Sequence, residues 1–201
     1  MATVSGALIS QYLGGTAMVW HFRFGYLALA LVGFRVLWGL IGSRHARFAS
    51  FVRGPLAILR YLRGQAGEHD ATPGHNPLGA LSVLAMLGLV MLQAGSGLFA
   101  SDDIANQGPL AKFVEQEVAE KIGWLHAEYG ARIIYGLICL HLAALAYYRL
   151  RRHINLIWPM ITGDKTLAQA TDAVQDDWRL WARALICFLG CLGLVGYIIS
   201  L

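Results

Sequence analysis

The chain has 201 residues, 57% of them hydrophobic and only 14% charged, with a mean hydropathy of +0.53 and a formal net charge of +4. A soluble domain carries about 25% charged residues and cannot bury this much apolar surface, so an ordinary soluble enzyme is excluded. The positive charge comes without a basic stripe interleaved with aromatics on a soluble domain, which excludes a nucleic-acid-binding module.

Met1 to Gly15 is moderately apolar, but the first charged side chain is Arg23, so the basic start of a secretory signal is missing. As a helix, Val4 to Leu13 crosses only about half a bilayer, and we expect it to be the remainder of a longer helix. His21–Ile41, Leu78–Phe99, Leu125–Tyr148 and Trp181–Leu201 each approach the roughly 20 residues that a full crossing needs. None shows the two-residue alternation of a membrane barrel strand. The expected fold is therefore an all-α integral membrane helical bundle, one domain over residues 1–201, with four full spans and a partial N-terminal helix. Glycines within the spans mark places where helices or a flat ligand approach a backbone closely.

The connections are short. Gly64 to Gly74 is polar and turn-rich, and Asn76-Pro77 reads as an N-cap followed by proline at the first helical position. Ile161 to Asp177 is a linker with a short helix expected near Thr162. Arg44, Arg47, Arg53, Arg60 and Arg63 follow the first full span, and Arg149, Arg151, Arg152 and Lys165 follow the third. Both groups should face the cytoplasm, whereas the acidic stretch Ser101–Trp124 should face outward. Trp20, Tyr26, Trp38, Trp124, Trp158, Trp178 and Trp181 suit interfacial belts. Cys139, Cys187 and Cys191 lie within spans as small apolar packers and form no Cys-x-x-Cys-His haem attachment motif.

Of seven histidines, His45, His69, His75 and His153 fall in connections, while His21, His126 and His141 belong to spans. Coordinating groups at membrane depth are functional candidates. His21 and His126 open their spans from the same side and share a depth. His141 stands fifteen residues beyond His126, about 22 Å along an ideal helix and rotated by about 60°. Imidazoles facing one another from two helices suit a six-coordinate b-type haem, whose iron passes electrons and has no open position for substrate. Gly25 and Gly130 each follow a histidine by four residues and offer a bare patch for a macrocycle. Arg35, fourteen residues after His21, returns to within about 40° of the same face near the depth of His141 and could pair with a haem propionate. His75 is a second candidate for that neighbourhood. The competing readings are histidines used in helix-to-helix hydrogen bonds, a His-using transporter or ion channel, and a non-redox membrane anchor.

Trp20-His21-Phe22 with Gly25-Tyr26, then Phe34-Arg35-Val36-Leu37-Trp38-Gly39, Gly42-Ser43-Arg44-His45-Ala46-Arg47-Phe48, Gly74-His75-Asn76-Pro77-Leu78-Gly79 and Pro159-Met160-Ile161-Thr162-Gly163 form a specific combination. Together they resemble the bacterial di-haem cytochrome b family, which includes the b-type subunits of nickel-iron hydrogenases and, more distantly, of formate dehydrogenases. The resemblance runs from about Leu13 to Lys165. It implies a multi-pass protein of the bacterial inner (cytoplasmic) membrane, with His21 and His126 as ligands of the outer haem b and His141 as one ligand of an inner haem. Similar members begin with a full helix bearing an Arg-x-x-His-Trp type motif that supplies the other inner ligand. Residues 1 to 20 hold no histidine, so the inner site is expected to lack that ligand.

The expected function is electron transfer, as a subunit of an oxidoreductase system rather than a stand-alone catalyst. The redox partner would be a periplasmic cytochrome c or a hydrogenase-like enzyme, and the other side a quinone or another acceptor. Membrane lipid and, in an oligomer, further copies of the chain complete the expected contacts; nucleic acid is not among them. The charge asymmetry gives a direct test of orientation. In a cysteine-free background, Glu117→Cys should react with a membrane-impermeant maleimide added outside intact cells, and Arg53→Cys only after the cytoplasmic face is exposed. Labelling of Arg53→Cys from outside would reverse the assignment.

Overall fold

The computed structural model describes residues 1–65, 76–102, 105–162 and 177–201. Helices account for 80% of them, and the β-pairing among the described residues is an isolated bridge between Ser101 and Gln107. The chain runs α1 (Ala2–Leu13), α2 (Met18–Ile41), α3 (Phe48–Phe51), α4 (Pro55–Leu62), α5 (Pro77–Gly97), α6 (Gln116–Trp124), α7 (Ala131–Arg151), α8 (Ile157–Thr162) and α9 (Trp178–Ser200). Leu125–Gly130, between α6 and α7, winds as a π-helix and makes the third span one continuous helix over Gln116–Arg151. Four helices are long and apolar enough to cross a membrane, as the sequence indicates.

The packing is that of a bundle whose solvent is lipid. Ala28, Ala30, Ala80 and Ala119 are buried, while Leu92, Leu140 and Ile186 are each at least two-thirds exposed. Lipid tails are as apolar as a leucine, so nothing drives large side chains inward, and small residues that let backbones meet occupy the interior. Gly33 of α2 lies against Cys191 of α9, where an added Cβ would touch Sγ at 3.8 Å. Phe34 and Phe188 join the same two helices edge to face, with ring centres 5.8 Å apart.

Local chemistry sets several helix ends. Asn76 Oδ1 accepts the Gly79 N–H at 2.6 Å with Pro77 at the first helical position, as the sequence predicts for the start of α5. Asp177 caps α9 by accepting the Arg179 N–H at 3.3 Å. A further short helix, α8, ends at Thr162, and the helix expected to begin near Thr162 falls on residues 163–176, outside the described residues.

The helix that carries the third span begins at Gln116, upstream of Leu125, because the acidic stretch before it coils into α6. The π-helix also turns each residue by less than the 100° of an α-helix, so the offset of about 60° calculated between His126 and His141 shrinks.

The partial N-terminal helix is present as α1 and folds back along α2. Gly6 makes this contact possible, since a Cβ there would come within 2.9 Å of the Phe24 ring. The reversal occurs at Gly14 and Gly15, with φ of 64° and 52°. Gly14 combines its φ with a ψ of −165°, a conformation essentially confined to glycine. Gly14→Ala is therefore expected to cost about 1–3 kcal/mol, seen as a lower melting temperature and faster proteolysis of α1. Gly54→Ala is the control: its φ is −65° and there is open space around it. Equal stability of the two variants would mean that the reversal is unstrained.

Candidate functional site

α1, α2, α5 and the third span enclose a cavity of about 680 Å³ at the end of the bundle where α2 begins and α5 finishes. Its lining includes His21, Gly25, Tyr26, Gly97, Trp124 and His126. The segment after α5 folds over this end. Leu110 N donates to Leu98 O and Gly108 N to Ala100 O, both at 2.8 Å, and Ser101 N donates to Ala119 O at 3.1 Å. Asp102 closes the turn by accepting the backbone N–H groups of Ala105 and Asn106. Leu98, Ala100, Ser101 and Asp102 are thereby brought to the cavity wall.

The structure brings His21 and His126 together. Their ring centres are 6.0 Å apart and their planes cross at 87°. Each ring has its Nδ1 engaged. His21 Nδ1 lies 2.9 Å from the Ala7 carbonyl oxygen, which can only accept, so this nitrogen carries the proton. His126 Nδ1 is 3.0 Å from Ser96 Oγ, while Ser96 donates its one hydroxyl proton to Gln93 O at 2.9 Å. The serine oxygen is then left as an acceptor, and His126 also carries its proton on Nδ1. In the neutral form of either ring, Nε2 is then the unprotonated nitrogen, the one that can bind a metal.

The glycines divide between two uses. Gly25 lines the cavity with nothing within 4 Å of a would-be Cβ, as a bare patch requires. Gly130 plays a different part from the one expected of it. A Cβ at Gly130 would overlap the side-chain amide of Gln93, which passes across it to donate from Nε2 to His126 O at 2.9 Å. Its missing side chain admits a polar group from α5 to the main chain of the third span. Gly97 is a further close approach: a Cβ there would sit 3.0 Å from His126 Cε1. Sequence reasoning missed Gln93, Ser96 and Gly97. The signal for them was the Gln-x-x-Ser-Gly spacing near the end of an otherwise apolar span, where uncharged polar groups need partners.

The other candidates lie elsewhere. Arg35 is half-buried toward the far end of α2, donates from Nη1 to Ala46 O at 3.2 Å and stacks 5.0 Å above the Phe48 ring. Gly39 clears room for that ring, since a Cβ there would collide with it. His141 is partly buried on α7. No group of three or more His, Cys, Asp or Glu side chains gathers as a metal site among the described residues. His75 lies outside the described residues.

Two trans imidazoles bound to one metal ion have their ring centres roughly 6 Å apart, given metal–nitrogen bonds of roughly 2 Å and about an ångström from each nitrogen to its ring centre. The observed pair stands at that distance, across a cavity within the range of about 300–1,000 Å³ typical of small-ligand sites. The donor set therefore fits an axially ligated haem. No curated protein and no solved structure matches the chain. The family model described as prokaryotic cytochrome b561 matches residues 2–163, which takes in α1 to α8 and both facing histidines. The chain thus belongs to the prokaryotic cytochrome b561 family, multi-pass membrane b-type cytochromes that carry electrons on haem b.

Proposed function

We propose that His21 and His126 are the two axial ligands of one haem b. In this reading the protein moves electrons between a redox protein at the outer face, a cytochrome c or a hydrogenase-like enzyme, and a quinone or other acceptor. The observation that carries the proposal is the pair of imidazoles 6.0 Å apart across the cavity, each with its proton held on Nδ1. A haem held by His21 and His126 would supply a one-electron couple at this pair of imidazoles.

The chain's own groups position and shield this site. Ala7 O and Ser96 Oγ fix the tautomer and plane of each ring, and a ligand imidazole that donates to an acceptor becomes the more basic donor. Gln93 holds the backbone beneath His126, so the separation of the rings is set by the spacing of α2, α5 and the third span rather than by side-chain freedom. Leu98, Ala100, Ser101 and Asp102 form part of the cavity wall, where their hydrogen bonds fix the backbone dipoles. His141 and Arg35 are proposed as parts of a second, inner site, with His141 as its iron ligand. Arg35 already has the Ala46 carbonyl for a partner, so pairing with a propionate would require it to exchange or share that bond.

His21→Ala and His126→Ala should each lose the low-spin haem b spectrum of the outer site, with a matching drop in haem-to-protein ratio. Full haem content and an unchanged spectrum in either variant would refute the pairing. Ser96→Ala is a finer probe. Losing the acceptor for Nδ1–H makes His126 the weaker donor and destabilises the ferric state, so the midpoint potential should rise by roughly 20–60 mV, equivalent to a hydrogen bond of about 0.5–1.5 kcal/mol. Ser96→Thr, which keeps the hydroxyl, should leave it near the parent value. Equal potentials in a redox titration of all three proteins would show that the serine does not act on the ligand.

A further inference from the structure

At the opposite end of the bundle, α4 is pinned beside the start of α5 and the end of α7. Asn76, the cap of α5, donates from Nδ2 to the Tyr148 hydroxyl at 2.7 Å, and Tyr148, near the end of α7, lies 2.9 Å from the Tyr61 hydroxyl of α4. Burial and the bond to Tyr148 push the Tyr61 hydroxyl up to about 12, so the connection stays protonated at physiological pH. Arg152 is near enough for its charge to act on the same hydroxyl.

The pinning turns Ala57 inward, at 7% exposure, and leaves Leu56, Leu59 and Leu62 outward at 63%, 41% and 63%. On a helix, residues four apart are neighbours, so Leu56 lies beside Arg60 and Leu59 beside Arg63, each leucine one turn before an arginine. Residues 43–65 contribute Arg44, Arg47, Arg53, Arg60 and Arg63, residues 148–162 contribute Arg149, Arg151 and Arg152, and neither segment contains an Asp or Glu. An apolar ridge bordered by guanidinium groups, fixed beside the ends of two spans, matches one molecule in both halves: acyl chain along the leucines and phosphate against the arginines.

We propose that α4 and the end of α7 form a binding site for an anionic phospholipid of the cytoplasmic leaflet, with Arg63 and Arg152 holding the phosphate and Leu59 and Leu62 the acyl chain. The site is independent of the haem ligands and lies at the other end of the spans. It gives α4 a partner on its outward face, while Tyr61 and Ala57 face the bundle.

The test uses the full chain, purified in detergent and delipidated, with bound lipids counted by native mass spectrometry during titration. Phosphatidylglycerol should be retained at concentrations where phosphatidylcholine is not. Arg63→Gln and Arg152→Gln should each weaken retention about five-fold, and Leu59→Ala with Leu62→Ala should weaken it as well. Unchanged helix content and elution volume show that the variants fold. Equal retention of the two lipids, or parent-like binding by the double arginine variant, would overturn the proposal. Displacement of phosphatidylglycerol by millimolar inorganic phosphate would also overturn it, assigning the arginines to a soluble anion.

Discussion

An imidazole N–H inside a membrane must have an acceptor, because no water is at hand to supply one. This requirement organises the end of the bundle where His21 and His126 lie. His21 meets it with the Ala7 carbonyl and His126 with the Ser96 hydroxyl, and each solution commits a separate helix. A carbonyl of an α-helix normally serves the N–H four residues on. α1 must therefore lie close along α2, which Gly6 and the reversal at Gly14 and Gly15 permit. Ser96 likewise requires the end of α5 to touch the third span, which Gly97 permits. The contacts that seem to be mere packing are the conditions for two ring protons to be placed.

Polar groups within the spans follow one economy. Ser10 returns its hydroxyl to the carbonyls of Gly6 and Ala7, Ser96 to Gln93, and Arg183 reaches Ile41 O at 3.1 Å. Among the described residues no buried side-chain nitrogen or oxygen lacks a partner. In a low-dielectric surround each such bond is stronger than in water, and each omission is costlier. A bundle with small residues inside and leucines outside thus gains its specificity from a few directed polar contacts rather than from a jigsaw of large side chains.

The sequence showed the spans clearly because length and hydropathy are properties of single segments. It also showed the His21–His126 pairing, since both residues open spans from one side and depth can be counted along a helix. The place of Gly25 in the cavity wall was legible for the same reason. The use of Gly130 was not, because its bare Cα faces Gln93, thirty-seven positions earlier, and no periodicity in either helix announces which faces will meet. The π-helix was equally hidden: Leu125–Gly130 reads as an ordinary helical start, and the wider winding expresses how α6 and α7 fit their neighbours. Tyr61, Tyr148 and Asn76 lie far apart in the sequence, and only the fold brings them together.

Gln93 grips a main-chain oxygen, and that oxygen exists whichever residue occupies position 126. The widened turn of Leu125–Gly130 also shares the same carbonyl with the Ala131 N–H. The scaffold that spaces α5 from the third span is therefore decoupled from the identity of the side chain at position 126, the one proposed to coordinate. Such a fold can trade one donor for another, imidazole for thioether for instance, while its helices stay in place. For protein engineers this makes position 126 a replaceable socket, and for lineages that drift between redox ranges it offers a route on which the ligand changes before the architecture does.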